Sequence, residues 1–441
     1  GHTLPSFWQS GWAGGGLNTL SYLLEDDGEA KERALSTLRF ITAKLQRADG
    51  WYVPMYAEGV CYGDDFRDTD LPVLLTRKDA DLLYFLLKQA FILRKNQEVP
   101  EGMEESMRRQ ADAFVRLYKK NGQVGQFINM ETETILAGDT ASAAIVCGAL
   151  ALAWEYFGDE RYLAAAESLG ELYLKKYLRR GLTNGGPGEI CQAPDSESAF
   201  GLLESYVQLY ETTGKEKWLE AAKDAFELAV TWVVSYDFEF PEESTAGKLR
   251  MHTRGTVFAN AQNKHSAPGI CTLSGNSMLK LYRFTGDERY LTWMSRISHA
   301  LSQFVSLEDR PVDTLDGKPL PAGFFNERVQ TSDWEGKHTV GEFLYGSNWP
   351  ETTMLLTYAE IPGIYVDMDR DIIRCSDHVT AEFTEKTEGH TVLSVTNPTR
   401  YDAVVTLLTD HSENGDKLGH TYWNRMKKIS IRSGETVSVE I

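Results

Sequence analysis

Apolar positions along this chain fall into two alternating kinds of stretch. Across 141–154, Ala-Ser-Ala-Ala-Ile-Val-Cys-Gly-Ala-Leu-Ala-Leu-Ala-Trp, nearly every residue is apolar or small. That is the pattern of a helix buried on all sides. In the next stretch Tyr162, Leu163, Ala166, Leu169, Leu172 and Tyr173 recur at helical spacing with Glu and Lys between them, which predicts a half-exposed amphipathic helix. A Gly turn at Gly158 separates the two. The same apolar helix, Gly turn and amphipathic helix recur through Tyr206, Gly214 and Leu219, and again through Tyr282, Gly286 and Leu291. Such repetition marks an architecture assembled from stacked units. Five pairs follow from it: 12–24 with 28–46, 79–95 with 101–119, 139–157 with 159–177, 196–212 with 215–234, and 271–285 with 287–306. A sixth apolar helix runs from Trp349 to Ile361. Six buried first helices and five half-exposed second ones predict two concentric layers, with one outer helix unaccounted for.

The periodicity changes beyond Pro362-Gly363. Short runs at Val366–Ile373, Val379–Phe383, Thr391–Thr396, Ala403–Thr409, Lys428–Ile431 and Thr436–Ile441 read as strands, divided by turn signals such as Asn397-Pro398 and Asn414-Gly415. They predict a small antiparallel β-sandwich at 364–441, with a structural role, after a helical domain at 1–363. The connections between helix pairs (47–78, 120–138, 178–195, 235–270 and 307–348) are long and rich in aromatic, Gly and acidic residues. Each precedes a first helix, so all should gather at one end of the ring. Loops of that length in a compact domain are usually functional.

The hairpin ends Tyr156-Phe-Gly-Asp-Glu-Arg-Tyr-Leu163, Tyr210-Glu-Thr-Thr-Gly-Lys-Glu-Lys-Trp-Leu219 and Tyr282-Arg-Phe-Thr-Gly-Asp-Glu-Arg-Tyr-Leu291 resemble those of the six-hairpin glycosidase superfamily. The resemblance covers about 10–361. It implies a mainly α protein, an (α/α)6 toroid of helical hairpins with the C-terminal β-sandwich as an appendage, acting on carbohydrate. It leaves the reaction open, because the same ring serves glycosidases, polysaccharide lyases and sugar epimerases.

Charge narrows the partners. The 441 residues carry a formal net charge of -19. This argues against nucleic acid or an anionic membrane surface, both of which need a basic face. No apolar run is long enough to span a bilayer. The N-terminal Gly1-His-Thr-Leu-Pro5 lacks the basic start and apolar core of a signal peptide. If the chain is a piece of a secreted precursor, the periplasm or the extracellular space is the expected compartment. Cys61, Cys147, Cys191, Cys271 and Cys375 lie far apart, with no metal-ligand spacing. Asp64-Asp-Phe-Arg-Asp-Thr-Asp70 is acidic but lacks the Gly and terminal Glu of a calcium loop. Neither a metal nor another cofactor is therefore expected, and no Walker, dinucleotide, HExxH or GxSxG signature occurs.

Glycoside hydrolysis needs two carboxyl groups flanking one bond, one donating a proton and the other activating water or attacking carbon. Candidates stand where the connections meet the first helices. Asp139 precedes the third, where the resemblance implies a catalytic Asp and helix chemistry equally allows an N-cap. Asp195 and Glu197 open the fourth: Asp195 suits a cap, and Glu197 would lie in a first turn that favours an ionised carboxylate. Asp333 and Glu335 flank Trp334, a ring able to stack on a sugar while burial lifts a neighbouring carboxyl toward a general acid. His265, amid Asn260 and Asn263, suits hydrogen bonding to a sugar or proton abstraction beside a uronate. Trp12, Trp51 and Trp349 are further stacking candidates, and Asp65 with Arg67 further sugar contacts. The leading expectation is a glycoside hydrolase. A polysaccharide lyase using His265 and a non-catalytic glycan-binding protein are the alternatives.

Overall fold

The computed structural model describes residues 8–11, 14–25, 27–64, 72–188, 190–344, 348–387, 389–412 and 417–441. Among them the chain is mainly α, with short strands in the connections and at the C-terminus. The helices are α1 (Asn18–Leu24), α2 (Gly28–Lys44), α3 (Thr76–Lys95), α4 (Met103–Asn121), α5 (Val146–Phe157), α6 (Glu160–Lys176), α7 (Ser196–Thr213), α8 (Glu216–Val230), the short α9 (Thr245–Lys248), α10 (Asn276–Thr285), α11 (Arg289–Leu301) and α12 (Asn348–Glu360). The five predicted pairs form: α1 packs on α2, α3 on α4, α5 on α6, α7 on α8 and α10 on α11. The first members also pack in series, α12 on α1, then α3, α5, α7 and α10. No helix among the described residues is long and apolar enough to cross a membrane.

The repeated Gly has a local cause. Gly158, Gly214 and Gly286 sit at φ +72°, +66° and +72°, a left-handed conformation that ends a helix cheaply only without a Cβ. Their N–H groups donate to the carbonyls of Trp154, Tyr210 and Tyr282 at 2.7, 2.8 and 2.7 Å. After Gly158, the Asp159 carboxylate caps α6 by accepting from Arg161 N at 3.0 Å.

Helix starts depart from expectation. Helix α1 opens at Asn18 rather than residue 12, α3 at Thr76 rather than 79, and α10 at Asn276 rather than 271. Helix α5 opens at Val146, with turns over 142–145, so Asp139 does not cap it. The cap comes from the neighbouring helix instead. Ser205 Oγ on α7 accepts from Gly148 N at 2.9 Å and donates to the Ala144 carbonyl at 2.6 Å. Asp195, by contrast, caps α7 as expected, accepting from Ser198 N at 2.7 Å and Ser198 Oγ at 2.9 Å.

The long connections hold three small antiparallel sheets that the chain's periodicity does not announce, because strands of two to four residues are too short to alternate visibly. They are β1 (Trp8–Gln9), β2 (Met55–Ala57) and β3 (Val60–Tyr62); β4 (Val73–Leu75), β5 (Phe127–Asn129) and β6 (Thr134–Ala137); and β7 (Val257–Phe258), β8 (His265–Ala267) and β9 (Val329–Gln330).

After α12 come β10 (Ile364–Asp367), β11 (Ile372–Cys375), β12 (Thr380–Thr387), β13 (His390–Thr396), β14 (Ala403–Asp410), β15 (Lys427–Ile431) and β16 (Thr436–Glu440). They form two sheets, β11-β10-β14-β15 and β12-β13-β16. Ile364, Val366, Val405 and Leu407 from the first meet Leu393 and Val395 from the second in one apolar cluster. Two details correct the expectation. The predicted strand 366–373 is split between β10 and β11. And β10 pairs parallel with β14, because the chain crosses into the other sheet through β12 and β13 before returning. These strands are bound to the helices by buried groups: Tyr282 Oη donates to Asp367 at 2.6 Å, and Arg283 Nε to Asp410 at 2.6 Å. Tyr365, Leu408, Tyr422 and Trp423 belong to the helical core itself.

Candidate active site

Two of the inner helices carry a polar stripe through an otherwise apolar core. On α3 it runs Arg77, Asp81, Tyr84, Lys88, and on α7 it runs Glu197, Gly201, Glu204, Gln208, Glu211. Steps of four and three keep each set on one helix face. The stripes face each other: Arg77 pairs with Glu197, and Tyr84 Oη donates to Glu204 at 2.5 Å. A charge on an inner helix cannot reach water, so it persists only when paired, and its presence is informative.

At the N-terminal end of both helices the stripe opens on a cavity of about 10 Å3, room for roughly one water. Arg77, Asp81, Ser142, Glu197, Gly201 and Leu273 line it. Arg77 holds both carboxyls, Glu197 through Nη1 and Asp81 through Nε at 3.3 Å, while its Nη2 donates to the Cys271 carbonyl at 2.8 Å. Burial pushes the Asp81 carboxyl up to about 6, and the Arg77 guanidinium opposes that rise without cancelling it. Glu197 lies in the first turn of α7, where the helix dipole favours negative charge. The Ser142 hydroxyl is buried beside them without a hydrogen-bond partner among the described residues. Gly201 keeps the space open, since nothing but Ala144 and Ile145 would touch a side chain there, at 3.5–3.6 Å.

A second polar group lies on the loops before α10. The Asp195–Asn260 bridge joins α7 to these loops, and Ser196 N donates to the Ala259 carbonyl at 3.0 Å. Asn260 is buried and its Oδ1 accepts from Gln262 N at 3.1 Å and Asn263 N at 2.7 Å, so it shapes the turn on which the half-buried Asn263 stands. His265 follows on β8, opposite Gln330 of β9. Burial, helped by nearby Arg328, pushes its imidazole down to about 3, so the ring is neutral at neutral pH, and its Nδ1 has no partner among the described residues. Arg328 reaches Glu335 at 3.1 Å, Gln330 also donates to Glu335, and Lys264 Nζ lies 5.0 Å from the centre of the Trp334 ring.

The sequence candidates therefore separate. Asp195 and Glu197 meet at the head of α7, with Asn260 joined to them by the bridge; His265, Trp334 and Glu335 gather near β8 and β9. Asp195 is fully buried, and burial raises its carboxyl's pKa against the hydrogen bonds it accepts from Ser198 and Gly186. Asp333 and Trp334 are exposed, Trp334 at 58%. Trp349 is half-buried in the first turn of α12. Asp139 is exposed and paired with Lys176 of the outer helix α6 at 2.5 Å. Trp51 offers no stacking face: it is fully buried, edge-on to Phe114, with its Nε1 donating to Glu133 at 3.3 Å. Trp12, Asp65 and Arg67 lie outside the described residues. Among the described residues of the acidic stretch, Asp64 is buried, pairs with Lys78 and accepts from Leu75 N at 2.6 Å. Arg77 and Asp81 were missed from the sequence. Their signal emerges only once α3 is known to be buried, where charges among core residues call for partners.

No family model matches the sequence, and no curated protein matches it. Solved structures do match. A cellobiose 2-epimerase from Bacillus thermoamylovorans B4167 is 11% identical at a TM-score of 0.53, over 81% of this chain and 88% of that one. A sugar epimerase from a ruminal bacterium is 11% identical at 0.52, over 80% and 88%. A D-mannose isomerase is 13% identical at 0.51, over 82% and 89%. At 11–13% identity these likenesses establish a shared fold.

Proposed function

We propose that this protein is a sugar-processing enzyme, a glycoside hydrolase built on an (α/α)6 toroid, with the seven C-terminal strands as a β-sandwich closing one side. The supporting observation is the buried Arg77–Asp81–Glu197 cluster around a cavity at the inner-helix N-termini. Its parts suit the two tasks of glycoside cleavage. Asp81, lifted to about 6, holds a proton in mildly acidic solution and releases it near neutrality, as a general acid must. Glu197, at the helix N-terminus, suits the ionised partner that activates water. Arg77 fixes both carboxyls and is a positioning residue. Trp334 and Trp349 are the rings left accessible enough to hold a sugar, with Asn263 and Glu335 as polar contacts. The sugar-acting proteins of like fold support carbohydrate as the substrate class.

Incubation with a panel of glycans and mass analysis of the products tests this reading. Fragments that have gained one water, lost in Glu197→Gln, are the expected result. Intact turnover in Glu197→Gln would overturn it.

A second reading rests on His265. If substrate relieves the burial that now holds its basicity down, the His265 imidazole, whose Nδ1 has no partner among the described residues, can take a proton from a sugar carbon, the step shared by isomerisation, epimerisation and uronate elimination. The isomerase and epimerases of like fold make it the main rival. Its signature is a product of unchanged mass that takes up deuterium from heavy water, or an unsaturated product without added water. Absence of both signatures in the wild type, with hydrolysis intact in His265→Ala, would dismiss it.

A further inference from the structure

Among the described residues, glycine stands past the first position of a long helix at Gly148 of α5, Gly170 of α6 and Gly201 of α7. Glycine there weakens a helix relative to alanine, so each calls for a reason. Close packing supplies it for two. A Cβ on Gly148 would come within 3.3 Å of Ser205 Cα, and one on Gly170 within 3.0 Å of the Leu209 and Trp218 side chains. Gly201 has no such neighbour. A Cβ there would meet Ala144 Cβ at 3.5 Å and Ile145 N at 3.6 Å, which are ordinary contacts. Ala144 and Ile145 both line the cavity beside Glu197, so the methyl of an alanine would fit and would take up its space.

A second costly feature faces the same space. The Ser142 side chain, 2% exposed, lines the cavity, and its hydroxyl has no hydrogen-bond partner among the described residues. An unpaired hydroxyl in a core costs stability that alanine would restore. The residue is nonetheless held in place. Ser142 N donates to Thr140 Oγ1 at 3.4 Å, Ala141 N to the Asn184 carbonyl at 3.1 Å, and Ser205 Oγ of α7 fixes the turn through the Ala144 carbonyl at 2.6 Å. Glu197, Gly201 and Ser205 follow one another at steps of four on α7, so one helix face sets the carboxylate, the space and the anchor of the serine. Two departures from stability that meet at one cavity mark a place kept for a ligand. Its volume of about 10 Å3 admits one water, and the Ser142 hydroxyl, the Glu197 carboxylate and Arg77 around it suit one.

We propose that this cavity holds the water consumed in hydrolysis, and that Ser142 is the positioning residue that orients it toward Glu197. The proposal rests on the glycosidase reading above and deepens it by giving the second reactant its place. The oxygen of the water bonds to the anomeric carbon as the glycosidic C–O bond breaks. Glu197 takes the proton of the water, and the Asp81 carboxyl gives one to the leaving oxygen. Proton exchange with solvent then restores both carboxyls. Gly201 sets the size of the nucleophile: water fits and a larger alcohol does not.

The test measures kcat, KM and product partition on p-nitrophenyl glycosides and oligosaccharides in about 10% methanol, where an alcohol competes with water and gives methyl glycosides. The wild type is expected to yield almost only the hydrolysed sugar. Ser142→Ala should lower kcat about tenfold with KM within about twofold, and should raise the methyl-glycoside share about threefold because the lost hydroxyl leaves room. Gly201→Ala should raise the thermal midpoint, as alanine strengthens a helix, and still lower kcat about tenfold. Loss of activity in a more stable protein separates a filled water site from damage to the fold. A Gly201→Ala protein of lower thermal midpoint, or of unchanged kcat, would overturn the proposal, as would a Ser142→Ala protein with wild-type kcat and partition. Either result, with hydrolysis still lost in Glu197→Gln, leaves the glycosidase reading standing. A wild type that hydrolyses none of these substrates overturns both.

Discussion

The two ends of the same buried stripe make opposite use of charge. At the N-terminal end of α3 and α7, Arg77 is shared by two carboxyls beside a cavity and a serine hydroxyl with no partner among the described residues. At the far end, Lys88 pairs with Glu360 of α12, Lys280 with Glu211 at 2.6 Å, and the Tyr422 hydroxyl donates to the Glu360 carbonyl. His420, from the same C-terminal segment, stacks on Phe91 at 4.5 Å and meets Glu155 at 2.7 Å. The far end is plugged by chain and the near end is left with space. Buried charges of equal cost serve fold in one place and are available to chemistry in the other. Pairing alone does not distinguish them; unfilled volume and an incomplete set of hydrogen bonds do.

Substitutions that keep shape but change charge break this comparison most sharply. Glu197→Gln should lower turnover about a thousandfold, the scale of losing a positioned acid–base group, with little change in unfolding free energy. Asp81→Asn should do likewise and remove the fall in kcat expected of the wild type as pH rises through about 6. Lys88→Met, at the plugged end, should do the reverse. It strands Glu360 and should cost about 3–5 kcal/mol of stability, read by denaturant unfolding, while activity per folded molecule persists. Activity lost at Lys88 with stability kept would collapse the distinction.

Asp79 sharpens the contrast from the adjacent face of α3. It is fully buried toward Tyr52, whose N–H it accepts at 3.0 Å, and takes no part in the cavity. Burial pushes its carboxyl up to about 8. The folded protein therefore keeps a proton that the unfolded chain gives up near 4. Stability from this group is complete below about 4 and declines as pH rises toward 8. Asp79→Asn removes that decline, so the gap between variant and wild type should widen from pH 4 to pH 8, to on the order of 5 kcal/mol. A constant gap would show that Asp79 is ionised throughout.

The same contrast explains what the sequence disclosed. The hairpins were legible because a Gly at left-handed φ and an apolar run are local signals repeated at Gly158, Gly214 and Gly286, with a capping Asp159 after the first. Asp195 was legible as a cap for the same reason. The stripe on α3 was not, because Arg77, Asp81 and Lys88 look like ordinary surface charges until the helix is known to be inside. The start of α5 was hidden too, since its cap, Ser205, lies more than fifty residues away. Trp51 resembled a loop aromatic and proved to be core, and the parallel β10–β14 pair depends on a crossover that no strand pattern records.

The smallest expected effect tests position against environment. Asp139 stands just before the turns that lead into an inner helix, as Asp195 stands before α7, and by sequence the two are equals. In the fold, Asp195 is enclosed and accepts from Gly186 N and Ser198, whereas the Asp139 carboxylate is exposed and meets Lys176 on the outer layer. An exposed ion pair contributes little, because water screens it and two mobile side chains must be held. Asp139→Asn should therefore shift stability by no more than about 0.5 kcal/mol and leave turnover unchanged. The measurement is a pair of unfolding curves with a kcat for each protein. A hundredfold loss of kcat would mean that the surface around Asp139 closes over substrate, and that place in the chain, not burial in the free protein, decides which acid reacts. An unchanged kcat would leave the enclosed charges of α3 and α7 as the candidates for chemistry.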